Sequence, residues 1–209
     1  MIIAVDGPVA AGKGTLARRI AKRYGFEYLD TGALYRAVGL LLLQNNQDPS
    51  DPALATAAAR NVDQINLQDP RLRAEETGNA ASVVAVNPDV RSALLDYQRK
   101  VAEHKPGAVL DGRDIGTIVC PDAQVKLFVT ASAEVRAQRR FAELQAKGQS
   151  VSLEDIRADL QARDARDQGR KTAPLAKAED AHLLDTTKLD IEAALEAACQ
   201  IIDPLLAKR

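Results

Sequence analysis

Aromatic residues are scarce in this chain, at 3% of 209 positions, and cysteine and histidine occur only twice each. So few rings argue against a stacking platform for nucleic acid. Lys and Arg number 28 against 29 Asp and Glu, for a net charge of −1, so no basic surplus marks a polyanion partner. Cys120 and Cys199 cannot build a disulfide framework, and no Cys/His cluster has zinc-ligand spacing. The strongest apolar run, Leu40–Leu43, is far too short to span a membrane. The first expected strand begins at residue 2, which leaves no room for a secretory leader. These absences lead us to expect a reduced, cytoplasmic protein that binds neither nucleic acid nor membrane, monomeric by default.

What is present begins at the N-terminus. Ile2-Ile3-Ala4-Val5 reads as a buried strand, and Leu16, Ile20 and Ala21 recur at helical spacing up to Tyr24 and a stop at Gly25. Between them lie Gly7, Pro8, Val9, Ala10, Ala11, Gly12, Lys13, Gly14 and Thr15. Strand, glycine-rich turn and helix in that order form a cradle for nucleotide phosphates. Backbone N–H groups and the positive helix end converge on an anion, and Lys13 adds a full charge. The hydroxyl that would ligate magnesium comes one place late, at Thr15, because Gly14 intervenes. In that detail the loop resembles those of nucleoside monophosphate kinases.

Four more short apolar segments read as strands, Phe26–Leu29, Ala108–Leu110, Val125–Thr130 and His182–Leu184. Helical patterns at 33–43, 53–59, 89–104, 134–147, 153–163 and 191–207 separate most of them. The expected fold is therefore a three-layer α/β/α sandwich around a parallel sheet. One domain, 1–209, accommodates it. Residues 45–88, with Asp-Pro pairs at 48, 51 and 69, look like an inserted helical subdomain, and residues 148–172 are polar and arginine-dense.

Charge gathers in three places. Asp111-Gly112-Arg113-Asp114 follows the third strand, where ligands of open parallel sheets sit. Asp111 is a candidate magnesium ligand through water, alongside Thr15. Charge runs are usually solvated salt-bridge faces, but the nucleotide loop creates a need for cations, so Arg163, Arg166, Asp167 and Arg170 are read as neutralising phosphates in transfer. Asp30-Thr31 can cap the helix that carries Arg36. Neither histidine sits where a base is needed. A phosphate acceptor needs no base, and this favours a nucleotide over a hydroxyl acceptor.

Together these residues resemble the bacterial cytidylate kinase family over almost the whole length. The likeness is carried by Asp6–Thr15, Asp30–Arg36, Asn79–Ser82 with Arg91, Asp111–Thr117 and Arg163–Arg170. It implies a five-stranded parallel P-loop kinase fold, an acceptor-binding insertion over about 31–104 and a short lid over about 148–172. It implies transfer of the γ-phosphate of ATP to CMP or dCMP with Mg2+. It places Ser82, Arg91 and Asp114 at the cytosine, and Arg163 and Asp167 near the sugar. Thr31 joins the acceptor site, where Arg36, Arg113 and Arg163 hold the phosphate. Lys13, Arg166 and Arg170 surround the transferred group. A UMP/CMP kinase of broader specificity and a non-catalytic nucleotide switch are the alternatives. Larger relatives carry an extra strand pair where this chain has only Leu67–Arg73, so the insertion is expected to be smaller and less sheet-like.

Overall fold

The computed structural model describes residues 1–62 and 65–207. Residues 63 and 64 of the expected insertion, and 208 and 209 of the expected domain, lie outside these. Five parallel strands form one sheet in the order β2-β3-β1-β4-β5. They are β1 (Ile2–Asp6), β2 (Glu27–Asp30), β3 (Ala108–Gly112), β4 (Val125–Thr130) and β5 (His182–Asp185). The second strand is shifted one residue from the expected 26–29, because its pairing starts at Glu27 opposite Ala108. The third runs two residues further than expected, through Asp111 and Gly112, which pair with Val5 and Asp6.

Alternation along β1 sorts the core into two layers. Ile3 and Val5 pack with Leu16, Ala17 and Ile20 of α1 (Lys13–Tyr24) and with Ala198 and Ile202 of α8 (Ile191–Leu206). Ala4 faces the other side, with Leu34, Val38 and Leu42 of α2 (Thr31–Gln44) and Leu94 of α5 (Pro88–Ala102). Helices on both faces of a parallel sheet make the three-layer α/β/α architecture.

Among its described residues the insertion holds helices and turns and no strand. Two of the three Asp-Pro pairs that break the pattern in sequence are helix starts: Asp51 caps α3 (Pro52–Ala59), and Asp69 caps a single 3₁₀ turn, Pro70–Arg73, whereas Asp48-Pro49 makes a turn closed by the Asp51 N–H on the Asp48 carbonyl at 3.1 Å. A carboxylate at the cap and proline just inside it suit both roles. Helix α4 (Glu75–Val84) has no clear periodic signal, holding Gly78, Asn79 and Ser82, and it forms against α2. There Gly39 is indispensable. A Cβ at that position would stand 2.9 Å from the Cβ of Ala80 and 3.0 Å from the Ala81 nitrogen. Gly39→Ala is expected to destabilise the fold by about 1–2 kcal/mol despite its better helix propensity, measured by urea unfolding.

Helices α6 (Ala133–Ala146) and α7 (Leu153–Gly169) form a hairpin. Leu144, Ile156 and Leu160 bury together, with Val9 and Ala10 of the glycine-rich loop against them. Helix α7 runs six residues past the expected end at 163. Acids on its own turns and on other elements offset its arginines: Asp159 meets Arg163 at 3.0 Å, and Glu134 of α6 meets Arg157 at 2.7 Å.

Candidate active site

The loop between β1 and α1 is shaped by its backbone. Gly7 has φ 147°, and a Cβ there would lie 1.9 Å from the Val129 carbonyl oxygen, so no other residue fits. Gly12, at φ 87°, opens α1 with no side-chain cap, which leaves the first helical N–H groups for an anion. Lys13 is buried, and its Nζ donates to the Pro8 carbonyl at 2.9 Å. Burial, aided by the charge of Arg113, pulls its pKa down to about 8.

Above this loop opens a cleft of about 410 Å³ at the carboxyl ends of β1, β2 and β3. Val9, Ala10, Gly12, Lys13, Gly14 and Thr15 line it, and so do Thr31, Arg36, Ser82 and Arg91. Asp111, Arg113, Asp114, Arg163, Asp167 and Arg170 complete the set of candidate residues on its walls. Gly7, Pro8, Ala11 and Arg166 do not line it. The first three shape the loop from behind, and Arg166 reaches the wall indirectly, its Nε donating to Ser82 Oγ at 3.1 Å.

One wall carries a buried ion pair, Arg91 with Asp114. Arg91 also donates to the Ala85 carbonyl and lies over the Tyr35 ring, its guanidinium 5.5 Å from the centroid. The floor is Asp111, whose carboxyl is pushed up to about 6 by burial, against the opposing pull of the Lys13 charge. Its Oδ2 would be 3.2 Å from a Cβ on Gly14, so it stands directly against the loop. Thr31 does not cap α2. Its hydroxyl donates to the Asp111 carbonyl at 2.7 Å, and Asp30 is the cap, accepting from Ala33 and pairing with Arg36 at 2.6 Å.

The cationic side comes from distant parts of the chain. Asp167 is the hub: it accepts from Arg113 and from Arg170, and these two charges hold its carboxyl below the usual range although burial opposes them. Arg163 donates to Asn79 Oδ1 of α4 at 3.1 and 2.9 Å, joining the hairpin to the insertion. Arg36, Arg113 and Arg163, 127 positions apart in all (163 − 36), thus face one space.

Comparison with known proteins decides the family. The profile described as Cytidylate kinase matches residues 3–204. The chain belongs to the cytidylate kinase family. It is 56% identical to the Cytidylate kinase of Rhodospirillum rubrum over 206 residues, 97% of each chain. With the Cytidylate kinase of Brucella suis it shares 56% over 207 residues, covering 99% of this chain and 94% of the other. Among solved structures, an uncharacterized protein from Eubacterium ventriosum has the same fold at 14% identity, with a TM-score of 0.58 over 97% of this chain and 98% of that one.

Several residues of this cytidylate kinase site have no signature in sequence. Arg136 donates to the Val9 carbonyl and pairs with Asp164 at 2.7 Å, joining loop, α6 and α7. Arg139 donates to Thr186 Oγ1 at 2.9 Å, and Thr186 in turn reaches the Ala11 carbonyl at 3.2 Å. Both read as ordinary cations on an amphipathic helix. Arg18 and Tyr28 also line the cleft, with the Arg18 guanidinium 5.1 Å from the Tyr28 ring centroid. Two lone residues on different elements give no pattern to detect.

Proposed function

We propose that the cleft binds CMP or dCMP and ATP end to end and passes the γ-phosphate between them. The activity is that of a cytidylate kinase, and the proposal concerns which side chains perform it. One observation supports the division of labour above all: Lys13, Arg36, Arg113, Arg163 and Arg170, from separate stretches of chain, line one cleft beside the Arg91–Asp114 pair.

The donor phosphates lie on the N–H groups of residues 9–15, with Lys13 reaching the transferred group. Cytosine presents an exocyclic amine that the Asp114 carboxylate accepts, while Arg91 and Ser82 donate to its ring nitrogen and carbonyl. Arg36, Arg113 and Arg163 hold the acceptor phosphate, and Arg166 and Arg170 neutralise charge in the transition state. Asp167 holds Arg113 and Arg170 in place and approaches the sugar. Because the attacking oxygen is already ionised, no general base is required.

Magnesium fits this donor set. Thr15 and Asp111 supply hard oxygen atoms beside the loop, and among the described residues no cluster of three His, Cys, Asp or Glu forms a protein cage. An ion that keeps waters and phosphate oxygens suits so few protein ligands. When bound it would offset charge on the donor phosphates. We assign residues 31–104 to acceptor binding and 148–172 to a lid, and take the working unit as a monomer. No described helix is long and apolar enough to cross a membrane.

Steady-state assays across CMP, dCMP, UMP and AMP test the reading; equal turnover of CMP and UMP overturns it. A pH profile adds a second check. Lys13 loses its proton near pH 8 in the free enzyme, so kcat/KM for ATP at low CMP is expected to fall above about pH 8. Bound phosphates favour the charged lysine, so the corresponding limb of kcat is expected at higher pH.

A further inference from the structure

Asp6 ends the central strand, is buried, and takes no part in the chemistry above. Its two carboxylate oxygens accept from the backbone N–H groups of Ile115 and Gly116, each at 2.8 Å and more than 100 positions away. Those residues open a single wide helical turn, Ile115–Val119, closed by the Val119 N–H to the Asp114 carbonyl at 3.1 Å and Cys120 to Ile115 at 2.7 Å. The carboxylate thus acts as a cap supplied from another strand, placed where a helix start carries positive charge.

Asp114 immediately precedes this turn. Its ion-pair partner Arg91 belongs to the helical insertion, whereas Asp6 belongs to the sheet. On the other side of the segment, Thr31 donates to the Asp111 carbonyl. Arg113 and Asp114, just past the β3 ladder, therefore hang between two anchors. We infer that Asp6 is a positioning residue for base recognition, setting the place from which Asp114 meets the exocyclic amine of a cytosine nucleotide. This rests on the assignment of Asp114 to the base.

The two-donor geometry explains the residue type. Two N–H groups need two acceptors, and an asparagine would turn its own N–H toward one of them. Burial makes a charged group costly here and pushes the carboxyl up to about 6, although the two N–H bonds favour its ionised form. A glycine at 116 also matters, since its missing Cβ would lie 3.4 Å from Asp6 Oδ2 and 3.1 Å from Lys126 Cδ.

The test compares Asp6→Asn, Asp114→Asn and the double variant with CMP, UMP and ATP as varied substrates. Asp6→Asn is expected to raise KM for CMP about tenfold and to lower the CMP-over-UMP ratio of kcat/KM by a similar factor, as expected for a small displacement of a recognition group. KM for ATP and turnover of UMP should stay close to wild type. In the Asp114→Asn background the Asp6 change should leave the ratio where it is. Equal losses with CMP and UMP, or an unchanged ratio, overturn the inference. An unchanged ratio in Asp114→Asn itself overturns the base assignment instead. Should Asp6→Asn not fold, hydrogen exchange in the wild-type protein decides. Ile115 and Gly116 amides protected like those of the β1–β3 ladder support the anchor; exchange at the rate of exposed loops overturns it.

Discussion

Lys13→Met is expected to lower kcat about 1000-fold, the scale of removing a preorganised charge from a desolvated transition state. The folded protein should be at least as stable as before. Both halves follow from one fact. Lys13 is buried, and its nearest hydrogen-bond acceptor is a carbonyl, that of Pro8. Its folded pKa of about 8 lies below the 10.5 usual for a lysine. A base whose folded pKa is depressed binds its proton more weakly when folded. Its charged form therefore opposes folding below about pH 8, and the penalty fades as pH rises toward the unfolded value. Methionine fills the same volume without that penalty. A stable, inactive variant, measured by thermal unfolding beside steady-state rates, is the expected result. Loss of stability in parallel with activity would show that Lys13 chiefly supports the loop.

At Asp114 the largest effect falls on choice of substrate. Asp114→Ala is expected to cut kcat/KM for CMP by about 100-fold or more while leaving KM for ATP within about threefold, because a polar pocket that loses its acceptor cannot satisfy the amine. Uracil carries a carbonyl where cytosine carries the amine, so the wild-type carboxylate repels it and the variant does not. UMP should lose little or gain. Removing the acid also leaves Arg91 buried without its carboxylate, which costs about 3–5 kcal/mol in comparable pairs. Asp114→Asn is therefore the companion variant. Its amide can present oxygen to cytosine or N–H to uracil, so discrimination between the two should collapse with less damage to the fold. Parallel losses for CMP and UMP in both variants would reject the assignment.

Legibility differed from element to element. The loop of residues 7–15 could be read directly, because a phosphate cradle is made by consecutive backbone groups, and two of its three positive-φ positions, Gly7 and Gly12, carry glycine, the third being Ala10. The strands could be read within one or two residues, since both faces of a parallel sheet are covered and each strand is a short apolar run. Helix α4 could not. Glu75–Val84 is mediocre helix sequence, and its register comes from the close approach of Gly39 to Ala80 and Ala81 across α2. The end of α7 was missed for a related reason. A run of arginines looks self-repelling until Arg163 is seen to donate to Asn79 and Arg166 to Ser82, each 84 positions away.

By itself the sequence determined the phosphate loop, the alternation of strands and helices, and which residue types were available for a nucleotide acceptor, because each rests on neighbours within one or two turns of chain. Only the tertiary structure decided who meets whom. The strand order places β1 between β3 and β4, bringing Asp6 to Ile115 and Asp30 and Asp111 to one rim. The α6–α7 hairpin then sets Arg163 against Asn79 and Arg113 against Asp167. Such pairings depend on how layers cross in space, which no local pattern of residues encodes.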